Sequence, residues 1–187
     1  MNNAFEIILI TGGANSGKSK WGEYLALRSQ KPVVYIATAQ KDESDEEWTQ
    51  KILEHQQRRP KNWHTLEIPL FLADSIEQIK EDNCILIDSL GTWVANWLEK
   101  DELTWQKEVT KLRSSLANNS HHIILIAEET GLGVVPAYSS GRLFRSRLGK
   151  LSQLVGGLAN NVYLTIGGYG IDVSKIGLKL SEIEPII

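Results

Sequence analysis

One cysteine, Cys84, in 187 residues leaves no pair to cross-link within the chain, so the fold must be held by its core rather than by disulfides. Cys84 itself lies in the apolar run 84–87, where a small buried side chain is the expectation. No apolar run approaches the ~18 residues that a membrane span requires, and the opening MNNAFEIILITGG lacks a basic start followed by a long apolar stretch. A cytoplasmic setting follows. Proline is sparse, with 5 residues, and no Pro/Gly/Ser-rich linker or internal repeat divides the chain, so one domain over 1–187 is expected. An excess of positive charge is also missing. The formal net charge of -3 supplies no surface for nucleic acid or an anionic membrane, and any recognition of phosphate has to be local. With 42% hydrophobic and 23% charged residues, the composition is that of a chain able to bury a core, with no tract that reads as disordered.

What is present is a regular alternation. Apolar, β-branched runs at 6–11, 33–38, 84–88, 122–127 and 162–166 read as strands buried on both faces. Shorter pairing is expected at 65–68 and at an edge over 176–180. Helical patterns fill the intervals at 17–28, 44–59, 70–80, 90–99, 104–118 and 142–159. Strands alternating with helices give an α/β fold with a mostly parallel sheet covered on both faces. The glycine-bearing segments EETGLGVVPAYSS (128–140) and GGYG (167–170) follow strand ends, where ligands bind in open α/β sheets, and are candidates for the wall of a site.

Gly12, Gly13, Ala14, Asn15, Ser16, Gly17, Lys18 and Ser19 satisfy GxxxxGK[ST], with a strand pattern before them and a helix pattern after, which is the context this motif needs. Glycines let backbone N–H groups turn onto phosphate oxygens, and the helix N-terminus adds orphan donors and a favourable dipole. Lys18 would reach the β/γ-phosphates and Ser19 would offer a hydroxyl to Mg²⁺. Asp88, ending the run CILID, has the pattern of a second metal-side carboxylate. The same residue could instead cap the helix that begins near Leu90.

A second constellation is KILEHQQRRP, 51–60. On a helix, Lys51, His55, Arg58 and Arg59 fall on one face at spacings of three and four. Cations around an imidazole favour its neutral, nucleophilic form, and the arginines could clamp phosphate. A solvated helix face with an incidental histidine fits the same spacing. Trp48, Trp63, Trp93, Trp97 and Trp105 fall in or beside the helical patterns and read as core or interface packing. His64, His121 and His122 have no metal-ligand spacing.

Taken together, TGGANSGKS, VVYIATAQ, ILEHQQRRPKNW, IDSLGTWVANWL and GLGVVP followed by GRLFRSRLG resemble the bifunctional adenosylcobinamide kinase / adenosylcobinamide-phosphate guanylyltransferase family over nearly the whole chain. The resemblance implies an α/β fold of the P-loop NTPase-like (RecA-like) type, a homotrimer, and substrates ATP or GTP and the corrinoid adenosylcobinamide. It also implies Mg²⁺, and a covalent GMP carried on the histidine that matches His55. Where the family commonly shows Asn-Glu-Val-Gly after the fifth strand, this chain has Glu128-Glu129-Thr130-Gly131. Glu129 keeps the match and is a candidate for nucleotide or metal contact. Ser146 and Ser152 stand where Asp and Asn are common. A P-loop kinase for another small metabolite, or a non-catalytic nucleotide-binding regulator, would share the loop but would not carry GMP on His55.

Overall fold

The computed structural model describes residues 5–40, 45–80 and 82–182, without the side chains of residues 47, 48, 51 and 181. Successive residues of a strand point to opposite faces, and the apolar runs are continuous, so each strand needs cover on both sides. It receives it. Strands β1 (Glu6–Gly12), β2 (Val33–Ala37), β3 (His64–Glu67), β4 (Cys84–Asp88), β5 (His122–Glu128), β6 (Asn161–Ile166) and β7 (Tyr169–Asp172) form one sheet in the order β3-β2-β4-β5-β1-β6-β7. All neighbours pair in parallel except β6 and β7.

On one face, Ile7, Leu9, Ile36, Ile85, Ile87, Ile123 and Leu125 pack under helices α3 (Leu72–Gln78), α4 (Leu90–Asn96), α5 (Glu102–Asn118) and α6 (Ser139–Leu158). On the other, Ile8, Ile10, Tyr35, Cys84, Leu86, Ile124 and Ile126 pack with Ala26 of α1 (Lys18–Arg28) and with Trp63. The alternation of odd and even positions between the two clusters is the pleat made visible. Trp63, Trp93, Trp97 and Trp105 are all buried, and the side chain of Trp48 lies outside the described residues. His121 is buried, with Nε2 2.9 Å from the Ile79 carbonyl. His122 faces Glu6 at 3.4 Å, and burial lowers its pKa. His64 is exposed on edge strand β3.

Two expectations fail at the carboxyl-terminal edge. The pairing expected over 176–180 does not form; β7 takes the edge, running antiparallel to β6. GGYG is correspondingly not a wall of the site. Gly167 and Gly168, with φ of 56° and 83°, make the two-residue turn of the β6–β7 hairpin, a geometry that asks for positive φ at both central positions. Helix ends also differ. Asp101 caps α5 by accepting from the Thr104 N–H at 3.0 Å, which starts that helix at Glu102. Helix α2 (Glu46–Gln57) stops before Arg58 and Arg59, because Pro60 disfavours helical backbone in the residue ahead of it; residue 44, where its start was expected, lies outside the described residues. No helix among the described residues is long and apolar enough to cross a membrane.

Cys84 and Leu86 are both fully buried on β4, and burial pushes the Cys84 thiol up to about 11. Leu86→Ala is therefore expected to cost about 2–5 kcal/mol in urea unfolding. It should also speed the labelling of Cys84 by a thiol reagent at neutral pH, which in the parent chain waits on opening of the sheet.

Candidate active site

Strand β5 separates β1 from β4, so the end of the phosphate-loop strand and the Asp88 strand are one strand apart. Gly12 is level with Glu128, and Asp88 with Ile126. The carboxyl ends of three strands thus open on one cavity of about 420 Å³. Its lining includes residues 14–20, Tyr35, Ala37, Ile52, His55, Gln56, Arg58, Arg59, Glu67, Asp88, Ser89, Thr92 and Glu128.

The loop itself has the backbone of an anion cradle. Asn15 and Gly17 have positive φ, 55° and 97°, and Gly17 is the N-cap of α1, which turns successive N–H groups toward one side. Gly12 is required by crowding: a Cβ there would lie 2.5 Å from the Thr165 carbonyl oxygen and hydroxyl and 2.7 Å from Ser16 Oγ. Lys18 is buried and its ammonium donates to the Gly13 carbonyl at 2.7 Å, across the loop.

Above the loop stands the end of α2. His55 Nδ1 lies 3.3 Å from Arg58 Nη2 and 3.8 Å from Asp88 Oδ2. Tyr35 donates its hydroxyl to the same Asp88 oxygen at 2.8 Å. Burial, then the charge of Asp88, raises the Tyr35 phenol well above its ordinary range. Arg58 also faces Glu23 of α1, with Nη2 to Oε1 at 3.6 Å. Of the three cations expected around the imidazole, Arg58 lies beside it. Arg59 turns from His55 and stacks its guanidinium 3.6 Å from the centre of the Tyr35 ring, and the Lys51 side chain lies outside the described residues. Among the described residues, Arg58 and Asp88 flank the histidine.

Asp88 is not the helix cap. Ser89 takes that role, accepting from the Thr92 N–H at 3.3 Å, which leaves the Asp88 carboxylate to the cavity. Glu128, the first residue of the segment 128–140 expected to wall a site, lines the cavity, while Glu129 turns to its own loop and accepts from the Gly131 N–H at 2.5 Å. Glu128 Oε1 accepts from Ser89 Oγ at 2.6 Å; Oε2 is buried without a hydrogen-bond partner. Gly91 makes room for it, since a Cβ at that position would lie 1.9 Å from Oε2. Tyr35 and Glu23 were also missed. Tyr35 looks like any core position of VVYIA, but Glu23 had a signal: it sits four residues after Ser19, on the same helix face. Ser146 and Ser152, on α6, do not line the cavity. The loop 131–138 is tied down instead by α6, through Arg142 to the Pro136 and Ala137 carbonyls and Arg145 to the Gly131 carbonyl.

A phosphate loop thus faces the histidine-bearing end of α2 across one cavity, and the chain is similar to known proteins. Residues 8–173 match the family model described as cobinamide kinase / cobinamide phosphate guanyltransferase. The chain belongs to that family. Among relatives of this cobinamide kinase / guanyltransferase, the bifunctional adenosylcobalamin biosynthesis protein CobP of Pseudomonas aeruginosa is 41% identical over 164 residues, covering 86% of this chain and 92% of the relative. CobU of Escherichia coli, named as a bifunctional adenosylcobalamin biosynthesis protein, is 32% identical over 182 residues, covering 89% and 99%. Among solved structures, PH0250 from Pyrococcus horikoshii superposes with a TM-score of 0.54 at 10% identity, covering 89% of this chain and 85% of that one. An ATPase of a type III secretion system gives 0.51 at 9% identity, with 85% and 50% covered. At such identities the likeness is one of fold, a P-loop α/β sheet of the RecA-like kind.

Gly12→Ala tests the loop directly in this guanyltransferase-family chain. The added Cβ cannot avoid Thr165, whose nearest atom is backbone, so triphosphate affinity measured by calorimetry is expected to fall at least about tenfold, the equivalent of ~1.4 kcal/mol.

Proposed function

We propose that this one cavity carries both family reactions: phosphorylation of the corrinoid adenosylcobinamide by ATP or GTP, then transfer of GMP from GTP to the resulting phosphate through a guanylylated His55. The observation that carries the reading is His55 held over the phosphate loop with Asp88 facing its Nδ1. With a proton on Nδ1 directed at Asp88, the Nε2 lone pair is free to attack.

The loop amides of residues 12–19 and the Lys18 ammonium bind and orient the triphosphate and stabilise charge that develops on its oxygens. In the kinase step the corrinoid hydroxyl oxygen bonds to the γ-phosphorus as the bond from that phosphorus to the β,γ-bridging oxygen breaks; the nucleoside diphosphate leaves and the hydroxyl proton passes to solvent. In the second step Nε2 of His55 attacks the α-phosphorus of GTP, the bond to the α,β-bridging oxygen breaks, and pyrophosphate leaves. The corrinoid phosphate oxygen then attacks that phosphorus, the N–P bond breaks, and the electron pair returns to Nε2, giving adenosyl-GDP-cobinamide. Arg58 and Arg59 are the candidate phosphate and base contacts from the α2 end, with Lys51 and Glu129 further nucleotide-side candidates.

The oxygen donors suit Mg²⁺: the Ser19 hydroxyl and the Asp88 carboxylate are hard ligands, and Mg²⁺ needs few from the protein. Among the described residues, Tyr35 and His55 engage Asp88 through Oδ2, and Glu128 Oε2 is a buried acceptor without a hydrogen-bond partner. When bound, the ion supplies charge neutralisation on the triphosphate. The reading also takes residues 1–187 as one domain, working in the cytoplasm as a homotrimer. Exposed Leu132, Val134, Val135 and Tyr138 on one loop, and Tyr169, Ile176 and Leu178 at the sheet edge, support self-association, since isolated subunits rarely leave such patches to water.

Incubation with GTP labelled in the α-phosphate is expected to place acid-labile, base-stable label on His55, and His55→Ala should abolish the label while nucleotide still binds. Phosphoryl transfer without any label would point instead to a simple small-metabolite kinase, and label on another residue would overturn His55 as the carrier. Lys18→Ala should lower triphosphate affinity and both turnovers. Sedimentation should find three chains.

A further inference from the structure

Tyr35 brings a hydroxyl into a core cluster whose other members on the neighbouring strands, Leu86, Ile124 and Ile126, are aliphatic. Burying a hydroxyl costs free energy unless it finds a partner, and a valine or isoleucine at the same place would carry no such cost. The register supplies the partner. Tyr35 is level with Leu86, and Ala37 with Asp88. Residues two apart on a strand share a face, so Tyr35 lies on the face of Asp88, two residues back on the adjacent strand. From there its hydroxyl donates to Asp88 Oδ2 at 2.8 Å.

The donor is held firmly. Tyr35 is 1% exposed, the Arg59 guanidinium stands 3.6 Å from the centre of its ring, and the Trp63 ring packs on it with centroids 6.3 Å apart and planes 27° from parallel. A carboxylate turns readily about its last side-chain bond, and a hydrogen bond from a fixed donor to one oxygen stops that rotation. His55 Nδ1 approaches the same oxygen at 3.8 Å. Both contacts of the Asp88 carboxylate among the described residues thus fall on Oδ2, in a side chain that lines the cavity. Mg²⁺ demands near-ideal octahedral geometry, so an oxygen whose direction is set beforehand suits it better than one that must be ordered on binding.

We infer that Tyr35 is a positioning residue for the cation of the triphosphate: by holding Asp88 through Oδ2 it presents Oδ1, in one orientation, as a single-oxygen ligand for Mg²⁺. The inference rests on the reading of Asp88 as the magnesium-side carboxylate. Tyr35→Phe keeps the ring and its packing but removes the donor, and the released carboxylate must then be ordered each time the ion binds.

Calorimetry with a GTP analogue carrying a methylene between the α- and β-phosphorus, which resists guanylyl transfer, reads binding without turnover. Tyr35→Phe is expected to raise about tenfold the Mg²⁺ concentration at which the ion's gain in analogue affinity is half complete, as loss of a partner behind a metal ligand does. Affinity in EDTA should be that of the parent chain, because the loop amides and Lys18 are untouched. Asp88→Asn should raise the Mg²⁺ requirement at least as far. The double variant Tyr35→Phe/Asp88→Asn should raise it no further than Asp88→Asn alone, since the phenol acts through that one carboxylate, whereas a merely structural role would add to it. An unchanged Mg²⁺ requirement in Tyr35→Phe overturns the inference, as does equal weakening with and without the ion, which marks the phenol as packing. If Asp88→Asn itself leaves the requirement unchanged, the metal reading of Asp88 fails and the inference falls with it.

Discussion

Parallel pairing of β1, β5 and β4 in a fixed register is the constraint on which the rest of this molecule depends. Because all three strands run the same way, their carboxyl ends finish on one edge, and the pairing sets Gly12 level with Glu128 and Asp88 two residues short of it. A slip by one residue would turn Asp88 and Glu128 to the opposite faces of the sheet. The buried, alternating isoleucines and leucines of both clusters forbid that slip, so the apolar core fixes the polar site.

Onto that edge two helices bring unlike chemistry. Helix α1 begins at Gly17 and offers backbone donors with Lys18, while the end of α2 brings His55 and Arg58 from above. The cavity between them is charged in both senses, with Asp88, Glu128 and Glu67 facing Lys18, Arg58 and Arg59. That mixture suits the function proposed above, which asks one site to bind anionic phosphate and to control a proton on imidazole, since either sign alone would fail at one of the tasks. Tyr35 links the two by donating to Asp88 beneath the Arg59 guanidinium.

Much of this was legible in the sequence. The strand patterns at 84–88 and 122–127 lie on or within one residue of the observed elements, because continuous β-branched runs have few other ways to be buried. The phosphate loop was legible because its glycines, lysine and serine are local in sequence and its geometry is local too. Less legible were ends and edges. The tail at 176–180 looked like a strand, but a two-glycine turn with positive φ let β7 fold back first and take the edge. Arg59 has the spacing to share the His55 face, yet Pro60 ends the helix before it arrives.

From its order of residues alone the chain determined its alternating α/β architecture, its phosphate loop and the presence of a histidine among cations, since each of these is a pattern over neighbouring positions. Tertiary structure alone decided that Ser89 and not Asp88 caps α4, that Glu128 and not Glu129 enters the cavity, and that Arg58 and Asp88 meet at one imidazole with Glu23 facing Arg58. The reason is physical. Hydrogen bonds and ion pairs act over a few ångströms, and residues as far apart as 23, 58 and 88 come within that reach only after the buried sheet has set the height of every strand end.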